Sequence, residues 1–116
     1  MLSANMEPAL PADPLRDLIR STLDFYDRFG ITPTPADMEK VFLEEVHELI
    51  EAVDAGHDKD HMAEEAADVI VTVIGLCHAA GIDPDHMIRQ LYAVIDKNDA
   101  KTHDTHAFID GKIRRK

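Results

Sequence analysis

The feature that most constrains this chain is its punctuation. Asp13-Pro14, Thr34-Pro35 and Asp83-Pro84 each place a capping side chain before a proline, and Gly30, Gly56 and Gly81 stand where helical runs stop. Proline suits the first turn of a helix, whose N–H groups have no intrahelical acceptor, and glycine suits the residue after the last turn. Between these marks apolar residues recur at helical spacing. The first stripe is Leu15, Leu18, Ile19, Leu23, Tyr26 and Phe29; the second is Met38, Val41, Phe42, Val46, Leu49, Ile50 and Val53; the last is Met87, Leu91, Val94 and Ile95. Asp37 sits where the acid of a capping box would lie.

A polar loop at 57–60 leads to a third helix that ends near Ala80. Residues 69–77 are apolar on every side and rich in β-branched residues, which a strand would also accept. The Ala- and Glu-rich run at 62–67 enters this segment without a break and favours helix. The pattern predicts an all-α, four-helix bundle-like domain over 13–101. The same reading expects residues 1–12 to be a disordered N-terminal tail, and residues 102–116 a polar C-terminal tail with a turn at Asp110-Gly111. A helix apolar all round needs covering on several faces, so the expectation is a homodimer or homotetramer.

Charge narrows the function. Twelve Lys and Arg oppose twenty-three Asp and Glu among 116 residues, a formal charge of −11. That excludes a nucleic-acid binder, whose affinity rests on clustered cations. It leaves room for an anionic small molecule if a metal ion supplies positive charge. The lone cysteine, Cys77, forbids an internal disulfide, the longest apolar run is far shorter than the roughly 20 residues of a membrane span, and residues 1–12 lack the features of a signal peptide. The expected location is cytoplasmic, away from membranes.

The acids are unevenly placed. At about 100° per residue, Glu45 falls inside the apolar stripe of the second helix and Glu48 on its edge, with Glu44 and Glu51 further out. On the third helix, Glu65 lies at the edge of the stripe formed by Met62, Ala66, Val69 and Val73, with Asp68 just beyond. If the two helices pack antiparallel, four carboxylates converge. Carboxylates sharing a site need a counter-charge, and no Lys or Arg lies between Lys40 and Lys59. A divalent cation meets that need, and an all-oxygen set favours Mg²⁺ or Mn²⁺ over zinc.

Glu45-x-x-Glu48 followed by Glu65-x-x-Asp68 resembles the ExxE…ExxD signature of the all-α nucleoside triphosphate pyrophosphohydrolases, which include MazG, dimeric dUTPases and phosphoribosyl-ATP pyrophosphohydrolase. Residues 25–30 (Phe-Tyr-Asp-Arg-Phe-Gly), Gly81-Ile82-Asp83, Asn98-x-x-Lys101 and Asp110-Gly111-Lys112 extend the likeness to the phosphoribosyl-ATP pyrophosphohydrolase-like branch. The resemblance implies a MazG-type fold and Mg²⁺-dependent hydrolysis of a nucleoside triphosphate to monophosphate and pyrophosphate, in a house-cleaning role. It implies Glu45, Glu48, Glu65 and Asp68 as metal ligands and Asn98, Lys101 and Lys112 as substrate contacts. The specific histidine-biosynthesis reaction is not implied. Such chemistry needs an aligned water and positive charge on phosphate oxygens, and Glu44 is the candidate to take the water's proton.

Two other readings compete: a non-catalytic helical oligomerisation module that keeps the fold, and a di-iron carboxylate bundle suggested by Glu44-x-x-His47. The di-iron motif occurs once where such bundles need it twice. His47-Glu48 opens a zincin motif that position 51, a Glu, does not complete. The pairs His57/His61 and His103/His106 read as solvated loop residues, Cys77 as a buried thiol, Tyr26 and Phe29 as core, and Arg114, Arg115 and Lys116 as a solvated tail.

Overall fold

A computed structural model describes residues 12–56 and 58–116; the expectations for the N-terminal tail at 1–11 and for His57 lie outside the described residues. Four helices follow one another, α1 (Pro14–Arg28), α2 (Pro35–Asp54), α3 (Lys59–Ala79) and α4 (Pro84–Asp99), and then two strands, β1 (His106–Ile109) and β2 (Lys112–Arg115). The all-α reading holds, with a hairpin added. The chain divides into two compact units, one reaching Pro84 and the other running from Asp85 to Lys116.

The first unit holds α1, α2 and α3. The caps form as the sequence predicts: Asp13 accepts a hydrogen bond from the Arg16 N–H at 3.1 Å, and Thr34 from the Asp37 N–H at 3.2 Å. Asp58, inside the expected polar loop, caps α3 by accepting from the His61 N–H at 2.9 Å. Each satisfies a donor that the first helical turn leaves without a partner. Gly56, with φ +66°, supplies the left-handed step that ends α2, and only two residues separate it from α3. This short connection folds α2 and α3 into an antiparallel hairpin. Residues 69–77 are helical throughout, so continuity with the preceding Ala/Glu run outweighs β-branching.

The core of this unit is Ile19, fully buried, with Met38, Ala52 and Ile74. Thr22 and Thr72 are buried too, and each hydroxyl donates within its own helix, to the Leu18 carbonyl at 2.9 Å and the Val69 carbonyl at 2.7 Å. Gly75 is where three helices meet. A Cβ there would lie 2.5 Å from the Tyr26 hydroxyl oxygen and 2.6 Å from Met38 Cε. The Tyr26 hydroxyl in turn donates to Met38 Sδ at 3.8 Å.

Several stripe residues predicted as core are exposed: Leu18, Phe29, Val41, Ile50 and Val53, with Phe29 64% accessible. Phe29 therefore does not join Tyr26 in the interior; it packs edge-on against Phe25 under the Arg28 guanidinium. In the second unit, α4 buries Met87 and exposes Leu91, Val94 and Ile95. The C-terminal tail, read as polar with a turn at Asp110-Gly111, is an antiparallel hairpin pairing His106 with Arg115 and Ile109 with Lys112. Its loop is Asp110-Gly111, both at positive φ (51° and 77°), the geometry whose twist matches that of paired strands.

Candidate functional site

The α2–α3 hairpin decides where the acids go. Residues 45 and 68 lie at similar distances along the chain from the connection, so antiparallel packing brings them level. Glu45 of α2 and Glu65 and Asp68 of α3 each offer one carboxylate oxygen, and these oxygens all lie within 4.8 Å of one another. Oxygens sharing a cation at about 2.1 Å lie up to ~4.2 Å apart, so small side-chain shifts would let all three reach one ion. Glu48 lies outside this triad but close enough to act on both Glu45 and Glu65. Glu44 is exposed and takes no part in the cluster.

Electrostatics give the cluster its character. Glu45 and Glu65 are half-buried, the Glu65 side chain only 14% accessible, whereas Asp68 and Glu48 are exposed. Glu45 Oε2 and Glu65 Oε2 are each sealed from solvent and have no hydrogen-bond partner. Burial pushes the Glu45 carboxyl above its ordinary range, and the Glu48, Asp68 and Glu65 charges and a hydrogen bond with Glu48 push it further. Burial also raises Glu65, helped by Glu48, Asp68 and Glu64 and opposed by His61. A desolvated carboxylate oxygen without a donor is costly, and like charges make it costlier. A hard divalent cation fits this donor set, since it accepts oxygen ligands alone and cancels the shared charge.

A second group forms in the C-terminal unit. Asn98, in the last turn of α4, and Lys101, two residues past its end, hydrogen-bond to each other, Lys101 Nζ donating to Asn98 Oδ1 at 2.9 Å. They line a cavity of about 560 Å³ together with His103, His106, Phe108 and Lys112. The structure thus collects the three expected substrate contacts in one pocket, built on the helix end and the hairpin.

Two histidines have neighbours that sequence reading missed. His61 is half-buried with Nε2 3.7 Å from Glu65 Oε1, so it borders the carboxylate cluster. Its i, i+4 spacing from Glu65 was the available signal. His106 is half-buried in the pocket wall and bonded through Nδ1 to the Thr105 hydroxyl at 2.7 Å, not solvated in a loop. Its position depends on strand pairing, which the polar tail did not advertise. His47, the residue of the di-iron motif, lies 2.9 Å from Glu51 on an exposed helix face. Cys77 is a free, half-buried thiol.

A family model described as phosphoribosyl-ATP pyrophosphohydrolase matches residues 15–94, which takes in every acid of the cluster and ends before Asn98. Comparisons with curated proteins and with solved structures found no match.

Proposed function

We infer the function from a premise that match supplies: the chain belongs to the phosphoribosyl-ATP pyrophosphohydrolase family, within the MazG-like all-α pyrophosphohydrolases, and is a hydrolase of phosphoanhydride bonds. We propose that it is a Mg²⁺-dependent nucleoside triphosphate pyrophosphohydrolase, a phosphoribosyl-ATP-like triphosphate being one substrate of that class. The observation that carries this reading is the pair of sealed, unpartnered oxygens on Glu45 and Glu65 within a three-carboxylate cluster. Glu45, Glu65 and Asp68 would hold the cation, with Glu48 beside them. When bound, the cation offsets the triphosphate's charge and activates water.

The chain's own groups do the rest. Asn98, Lys101 and Lys112 bind phosphate oxygens, giving a strongly acidic protein a local site for an anion. Glu44, exposed and adjacent to Glu45, takes the proton of the attacking water. The water oxygen bonds to the α-phosphorus, the bond from that phosphorus to the α–β bridging oxygen breaks, and pyrophosphate leaves with the electron pair. A homodimer or homotetramer is part of the proposal, supported by the many large apolar side chains left exposed on α2, α3 and α4. A cytoplasmic, house-cleaning role accords with a helical chain in which no described helix is long and apolar enough to cross a membrane.

The test is pyrophosphate release from ribo-, deoxyribo- and damaged triphosphates and from phosphoribosyl-ATP, in Mg²⁺ and then in chelator. Release in Mg²⁺ alone, abolished by Glu45→Gln, is the expected result. No release from any of them overturns the reading in favour of a non-catalytic module, for which Glu45→Gln changes nothing but stability.

A further inference from the structure

The pocket of the C-terminal unit holds more positive-charge capacity than its two lysines. His103 and His106 stand beside Lys101 and Lys112 on its wall, and no acid among the described residues lines it. In a chain of charge −11 such a site is conspicuous. We propose that His106 is a further phosphate-binding residue of this pocket, and that it takes up a proton as the phosphate chain enters. This rests on the reading that Asn98, Lys101 and Lys112 bind the substrate's phosphates.

Hydrogen bonding orients the ring. His106 Nδ1 is 2.7 Å from the Thr105 hydroxyl, which is itself placed to donate to the Thr102 carbonyl at 3.3 Å. The same hydroxyl oxygen accepts from the Thr102 N–H at 3.3 Å, so in the neutral ring the hydrogen of the Thr105–His106 bond can sit on either partner. In the imidazolium both nitrogens donate, Nδ1 to the Thr105 hydroxyl and Nε2 to a phosphate oxygen. The threonine hydroxyl orients the ring, as the partner of a metal-bound histidine does.

The surroundings keep the ring's second proton off until an anion arrives. The charged and titratable groups facing the ring are Lys101 just past the end of α4, Arg115 across the β1–β2 ladder, and His103 and Lys112 on the pocket wall. Partial burial, then Lys101 and Arg115, hold the imidazole below its ordinary range. A polyphosphate reverses the sign of the local field, and a charge-assisted hydrogen bond from the imidazolium follows. Phosphate binding and proton uptake are therefore linked, each favouring the other.

The experiment uses the full chain at fixed Mg²⁺ with inorganic tripolyphosphate, a probe without base or sugar. Wild type, His106→Gln and Lys101→Ala are titrated at about pH 6 and about pH 8, with the His106 ring signal followed by NMR. Glutamine preserves an amide within reach of Thr105 but cannot be protonated. The expected result is a His106 pKa that rises on addition of tripolyphosphate, and a wild-type advantage over His106→Gln of about tenfold at the lower pH that vanishes at the higher. Comparing the two proteins at each pH cancels the ligand's own ionisation. An unmoved His106 pKa, or an affinity ratio independent of pH, overturns the role of His106 while loss of binding in Lys101→Ala leaves the pocket standing. Wild-type affinity in Lys101→Ala overturns the pocket reading, and this proposal with it.

Discussion

Glu45 and Glu65 each keep one oxygen away from both water and any donor, and both carboxyls are pushed toward protonation by burial and by neighbouring acids. The linkage has a definite sign. With the folded-state pKa raised, these groups cost no stability below the ordinary carboxylate range, and the cost grows as pH rises from that range through the raised values. Metal-free protein is therefore expected to lose stability from this source on going from mildly acidic to neutral pH, and added Mg²⁺ to raise the thermal midpoint more at neutral pH than at mildly acidic pH. Thermal melts with Mg²⁺ or chelator across that window check both statements; an Mg²⁺ shift that shrinks as pH rises contradicts them. Glu45→Gln should lower turnover by on the order of a hundredfold or more, remove most of the Mg²⁺ shift, and stabilise the metal-free form. The placement of Glu45 was legible in the sequence because helical geometry alone puts it in an apolar stripe. The His61–Glu65 contact was legible only in part, since helical spacing makes the two neighbours without saying that one borders a charge cluster.

At the scale of elements, capping and close approach decide the outcome. Asp58 begins α3 by accepting the His61 N–H, so Asp58→Ala should cost about 1 kcal/mol in chemical denaturation. Gly75 presents a sharper case. Alanine there gains up to ~1 kcal/mol of helix propensity, but its methyl would meet the Tyr26 hydroxyl and Met38 Cε inside 3 Å. The methionine end can swing aside; the tyrosine ring is rigid and its hydroxyl is held to Met38 Sδ. Overpacking costs ~1–3 kcal/mol, so Gly75→Ala should destabilise by roughly 1 kcal/mol or more net, and Tyr26→Phe in the same background should recover part of the loss. A Gly75→Ala protein as stable as wild type would show that α1 yields freely. Helix starts and stops were readable because proline and glycine act locally. The β1–β2 hairpin was not, although Asp110-Gly111 is a strong hairpin turn, because its strands are short, mostly exposed and carry no alternation of apolar and polar residues.

For the molecule as a whole, the exposed apolar surface sets the expectation. Leu43 and Ile50 on α2 and Ile70 on α3 are about half accessible, and so, within the other unit, are Leu91, Val94 and Ile95 on α4. The proposed assembly would bury side chains of this kind against another copy. Sedimentation of the full chain should give a dimer or tetramer, and Ile50→Glu or Ile70→Glu should shift it toward monomer; a wild-type monomer at high concentration refutes the assembly. The sequence by itself determined what depends on neighbours along the chain: the helices and their ends, the face on which each acid lies, and the sign of the net charge. These follow from backbone sterics and a fixed turn angle, which do not require knowing what lies across the fold. Only the tertiary structure decided which oxygens of Glu45, Glu65 and Asp68 meet and which are sealed from water, that Phe29 stays outside while Tyr26 seats against Met38 and Gly75, and that His106 joins Lys101 and Lys112 around one cavity. Contacts of that kind depend on interhelical distance and strand register, quantities set by packing between segments distant in sequence.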